Sequence, residues 1–104
     1  MENMDQRCAP DVVVKYANFL KRSMPGIKKV FIFGSYAKGT YGENSDMDIA
    51  VVFERVPDAF EMQVELMKLR RKFDTRIEPH PIREADFNSS NPFAREVLSS
   101  GYEV

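Results

Sequence analysis

Cysteine is all but missing from this chain. Cys8 stands alone, so no internal disulfide can form, and it has no visible activating neighbour that would make it a catalytic thiol. No apolar run approaches the roughly 18 residues of a membrane span, and no cleavable leader is evident. With the single cysteine, these absences set the expectation of a soluble cytoplasmic protein. A basic surplus is absent too: 15 Lys and Arg face 16 Asp and Glu, a net charge of −1. Proteins that grip nucleic acid by neutralising phosphates carry an excess of cations, so direct nucleic-acid binding is not expected. Histidine occurs once, as His80, which leaves zinc without a second imidazole and makes a structural role the simpler reading. Repeats and low-complexity tracts are missing. At 104 residues and 43% hydrophobic, the chain reads as one domain over 1–104, its polar first nine residues loose. Its modest core leaves room for a partner or a homo-oligomer.

What is present concentrates in residues 30–53, VFIFGSYAKGTYGENSDMDIAVVF. The first apolar run is short, β-branched and aromatic and stops at a glycine, as a buried strand does. Gly34 can adopt backbone angles closed to other residues and lets a ligand approach the main chain. Ser35 offers a hydroxyl and can N-cap a short helix through Tyr36, Ala37 and Lys38, a start that attracts phosphate. Lys38 follows one turn later and offers a phosphate partner, with a solvated surface lysine as the equal alternative. The Gly-Lys-Ser/Thr of an ATPase phosphate loop is missing. Ten residues beyond, Asp46 and Asp48 head a second apolar run, so on a strand their carboxylates leave one face. Two such carboxylates repel unless cations lie between them. Oxygen ligands suit Mg²⁺ or Mn²⁺, and two ions roughly 3.5 to 4 Å apart can clamp both oxygens of a phosphoryl transfer. Gly-Ser followed at one fixed distance by Asp-x-Asp arises by chance in about one chain of this length in a thousand.

Periodicity supplies the surroundings. A helix starts at Pro10 and Asp11, with Val13, Tyr16, Ala17 and Leu20 on its inward stripe, and Pro25-Gly26 ends it. Strands over 28–33 and 47–53 flank the turn and a loop holding Gly39 and Gly42. Residues 57–73 predict a long helix with Met62, Leu66, Leu69 and Phe73 inward, followed by a strand over 75–78. Pro79, Pro81 and residues 88–91 mark an irregular connection. Asn91-Pro92 opens a last helix as N-cap and first residue, and Gly101 closes it. The run Lys68, Arg70, Arg71, Lys72 lies at a helix C-terminus, where positive charge offsets the dipole, and reads as a solvated face. Strands alternating with helices give an α/β layer.

Gly34, Ser35, Asp46 and Asp48, with the intervening SYAKGT, resemble the signature of the DNA polymerase β nucleotidyltransferase superfamily, and within it the minimal nucleotidyltransferases of bacteria and archaea. The resemblance runs over nearly the whole chain, and FAREVLSSGYEV at 93–104 resembles the family's closing helix and tail. It implies a single-domain α/β fold with a small mixed β-sheet flanked by helices. It implies that Asp46 and Asp48 are catalytic and hold two Mg²⁺ ions, and that Gly34, Ser35 and Lys38 bind an NTP, with ATP the candidate. The family's third carboxylate, catalytic and metal-binding, falls on Glu78, with Asp74 as its substitute; the family more often has Asp there, and Pro79 follows at once. The implied reaction moves NMP to a hydroxyl and releases pyrophosphate. The implied partner is a HEPN-domain toxin, modified on a tyrosine by its antitoxin. A small-molecule hydroxyl acceptor and a binding module without chemistry are the alternatives. No residue visibly reads a base.

Overall fold

The computed structural model describes residues 9–42 and 44–104; Cys8 and the rest of the amino-terminal segment lie outside the described residues. Elements follow in the order α1 (Asp11–Ser23), β1 (Ile27–Phe33), α2 (Ser35–Lys38), β2 (Met47–Phe53), α3 (Ala59–Arg70), β3 (Ile77–Arg83), α4 (Pro92–Ser100) and β4 (Tyr102–Glu103), with one 3₁₀ turn at Glu84–Asp86. The sheet runs β3-β2-β1-β4. β2 and β3 are parallel, whereas β1 pairs antiparallel with both β2 and β4. The sheet is therefore mixed, as the resemblance implied.

Strand β2 is central, and except for Asp48 every one of its residues is buried, which is why it reads as a continuous apolar run. Its side chains alternate between two covered faces. Met47, Ile49, Val51 and Phe53 join Val13, Tyr16, Ala17 and Leu20 of α1 and Leu66 of α3 in the larger core. Those four α1 residues are the predicted stripe. Tyr16 donates its buried hydroxyl to the Leu66 carbonyl at 2.7 Å and meets Phe73 edge-on, joining α1 to α3. On the opposite face, Ala50 and Val52 lie under Ala94 and Val97 of α4. Asp48 occupies the next position on that second face, towards the strand's beginning.

Helix α3 and strand β3 have other bounds than the sequence predicts, and the tail after α4 adds the short strand β4. Helix α3 is shorter than 57–73: Asp58 accepts from the Glu61 N–H and caps it, so Pro57 lies outside, and a turn follows Arg70. Strand β3 is longer, running through both prolines to Arg83. It is an edge strand, paired with β2 alone. Pro79 and Pro81 lie two apart, so both turn their missing N–H to the same side, away from β2. On that outer side the Ile77 carbonyl accepts from Arg70 at 2.8 Å and the Pro79 carbonyl from Gln63 at 2.7 Å. Side chains of α3 thereby satisfy the free edge. Asn91 accepts from the Phe93 and Ala94 N–H groups with Pro92 first in α4, as the sequence predicts.

Candidate functional site

The end of the sheet where β1 stops and β2 and β3 begin brings the candidate site residues together. Phe33, the last residue of β1, is the register partner of Asp48, so the turn after it passes beside the Asp48 carboxylate. Gly34 makes that turn with φ 75° and ψ −151°, a region essentially confined to glycine. A Cβ placed there would lie 2.5 Å from Asp48 Oδ2. Backbone and carboxylate therefore meet in a contact that excludes any side chain. Gly34 also takes the cap position of α2, and Ser35 is the first helical residue. Ser35 is thus not the cap that the sequence suggested, and its hydroxyl is not used for capping.

On the other side of Asp48, the parallel register sets Glu78 opposite it and His80 opposite Ala50. Asp48, Glu78 and His80 thus share one face. His80 Nε2 lies 3.5 Å from Asp48 Oδ1, and its ring packs against Phe33 and Phe93 at 5.6 and 5.8 Å. Burial, above all, pushes the Asp48 carboxyl above its ordinary value; His80 pulls it back, and Asp46 and Glu78 push it further up. Asp48 is thus a partly buried acid whose negative charge the fold opposes. Asp46, just before β2, is exposed.

Glu78 has a competing partner in Arg70, whose Nη1 lies 3.5 Å from Oε2. Arg70 is half-buried against β3 rather than part of the solvated face expected of the basic run. Asp74 is engaged elsewhere: it accepts from the Arg76 backbone N–H and guanidinium, which hold its carboxyl below its ordinary value. Lys38 is exposed. Among the described residues no three acidic or imidazole side chains are already gathered to hold a metal ion. Asp46, Asp48 and Glu78 nonetheless offer oxygen ligands from the same end of the sheet, the chemistry of a hard divalent cation, and a cation there would oppose both the burial and the acidic neighbours that raise Asp48.

His80 is the residue that sequence reasoning set aside. The signal was present: continued through Pro79, the alternation that aims Glu78 at the site aims His80 the same way.

The Gly34-Ser35 turn lies against β2 where Asp46 and Asp48 head that strand, and residues 13–97 match the nucleotidyltransferase domain family. The chain belongs to that family. This nucleotidyltransferase-domain chain is 37% identical over 93 residues to a putative protein adenylyltransferase of Methanocaldococcus jannaschii, covering 86% of this chain and 90% of that one. It is 28% identical over 90 residues to the protein adenylyltransferase MntA of Shewanella oneidensis, covering 86% of this chain. The chain spans 62% of that relative's length. Among solved structures it shares its fold with a chain of the MntA–HepT toxin–antitoxin complex, at TM-score 0.62 and 24% identity, covering 88% of this chain and 68% of that one.

Proposed function

We propose that this chain is an antitoxin that transfers AMP from ATP to a hydroxyl acceptor, a tyrosine of a HEPN-type toxin, and releases pyrophosphate. The observation that carries the reading is the contact between Gly34 and Asp48, which sets a bare stretch of main chain directly beside a carboxylate. One relative of this chain bears the name protein adenylyltransferase and another that of putative protein adenylyltransferase, and the shared fold occurs in a toxin–antitoxin complex.

In this reading the Gly34 and Ser35 amides and the Ser35 hydroxyl hold the outer phosphates, with Lys38 as a further cation. Asp46, Asp48 and Glu78 would hold Mg²⁺, or Mn²⁺ in its place. Such ions neutralise phosphate charge and acidify the acceptor hydroxyl. Glu78 reaches that position by turning from Arg70, and there it takes the acceptor proton as the oxygen attacks the α-phosphorus. The new P–O bond forms as the bond to the β-phosphate's bridging oxygen breaks. His80, packed against both Phe33 and Phe93, holds Asp48 from the side away from Gly34.

The engagement of Glu78 by Arg70 favours one competing reading, a module that masks a toxin by binding alone. Co-expression with the toxin separates the two. The expected result is toxin carrying added AMP from the native chain and unmodified toxin from the Asp46→Asn variant, measured by intact mass. Toxin that is silenced yet unmodified by the native chain would refute the transferase reading.

A further inference from the structure

Tyr36, inside the short helix after the Gly-Ser turn, and Tyr41, in the loop beyond it, stack face to face, ring centres 4.2 Å apart and planes within 7°. Tyr36 is the anchored member. Its ring packs on the main core, and its hydroxyl lies near enough to the Arg76 guanidinium to interact with it electrostatically. Arg76 is itself fixed at the carboxylate end of the sheet. Its carbonyl accepts from the Met47 N–H at 2.9 Å, the residue between Asp46 and Asp48, and its guanidinium pairs with Asp74. Tyr41 is the presented member, held on Tyr36 yet 53% exposed. Its neighbours are pinned: the Thr40 N–H bonds the Ser35 carbonyl, and the Gly42 N–H bonds Ser45 Oγ. A half-bare aromatic ring is thus fixed in orientation, one loop from the phosphate turn and against the end of the sheet that carries the acids.

We infer that the outer face of Tyr41 is the platform on which the base of the bound nucleotide stacks, giving the site a preference for purine over pyrimidine triphosphates. The inference rests on the nucleotide-binding reading of the Gly34-Ser35 turn. Aromatic platforms hold bases through their π-faces and tolerate different base edges. A two-ring purine covers more of the tyrosine than a one-ring pyrimidine. Tyr36 beneath, packed on the core, and the pinned residues on either side keep the platform from folding away when no base is present, so little ordering accompanies binding.

The test compares ATP, CTP and inorganic triphosphate, each with Mg²⁺, titrated by calorimetry into the native chain, Tyr41→Ala and Tyr41→Phe. Inorganic triphosphate carries the charge without the base. The expected result is ATP affinity about tenfold weaker in Tyr41→Ala, a change of about 1.4 kcal/mol, with triphosphate affinity unchanged. Tyr41→Phe keeps ATP affinity, and the native preference for ATP over CTP collapses in Tyr41→Ala. Unchanged ATP affinity in Tyr41→Ala overturns the inference. So does an equal loss for ATP and triphosphate, because the stack then supports the phosphate turn instead of the base. Native chain that binds neither ligand overturns the nucleotide reading, and the platform with it. Native chain that binds triphosphate as tightly as ATP overturns the platform alone.

Discussion

Asp48→Asn is expected to lower AMP transfer on the order of 10³-fold or more, while the metal-free protein unfolds at a higher temperature at neutral pH. The first effect follows if Asp48 ligates the ion that neutralises the phosphates, since about 4 kcal/mol of transition-state stabilisation is a factor of about 10³. The second follows from the carboxyl itself. Burial, with Asp46 and Glu78 adding to it, raises Asp48 above its ordinary value, against the pull of His80. A raised acid binds its proton more tightly folded than unfolded, so stability falls as pH rises through the interval between the two values. At neutral pH the whole penalty is present; below the ordinary carboxylate value of about 3.9 both states are protonated and it vanishes. Asparagine carries no such charge. Thermal melts at neutral pH and at about pH 3 read this out: the variant's advantage appears in the first and is lost in the second. Mg²⁺ should raise the native melting temperature and leave that of the variant nearly unmoved. A variant less stable than the native chain at neutral pH would contradict the account of Asp48.

Gly34→Ala should lower transfer about 10²-fold, a loss typical of a reacting group displaced by about an ångström, with the fold retained. The new methyl meets Asp48 Oδ2 at 2.5 Å and Asp48 Cγ at 3.3 Å, so the carboxylate must leave its place. The backbone angle adds a strain of about 1–3 kcal/mol. Gly26 is the control. Its φ is 91°, yet a Cβ there would meet nothing within 4 Å. Gly26→Ala therefore suffers strain without displacing Asp48, and it should lose stability but keep transfer. Circular dichroism melts alongside transfer assays on both variants check this. Equal activity losses in the two would show that stability, not the Asp48 contact, governs the result.

Much of the candidate site was legible in the sequence because its parts are local. A strand end, a glycine and two aspartates at alternate positions lie within two dozen residues, and period-two alternation says which side chains share a face. The fold was legible for a similar reason: the inward residues of α1 carry a helical period, and the unbroken apolar run of β2 marks a strand covered on both faces. What escaped depends on neighbours distant in the chain. Pro79 and Pro81 read as breakers because nothing local says that β3 is an edge strand with both prolines turned outward, and ending the strand early removed His80 from the site. Arg70 read as surface charge because its partners, the Ile77 carbonyl and Glu78, are reached only once α3 packs on β3. The two-residue strand β4 lacks any pattern of its own and exists through its pairing with Phe31 and Ile32.

The central claim is that Asp46 and Asp48, beside the Gly34 turn, transfer a nucleotide rather than a phosphate. The most direct measurement incubates the native chain and Asp46→Asn with a lysate of the source cells, Mg²⁺ and ATP labelled with ³²P at the α- or the γ-position. The account predicts a protein band labelled from the α-position alone, absent with Asp46→Asn. A band labelled from the γ-position, or an α-labelled band undiminished in the variant, would contradict it.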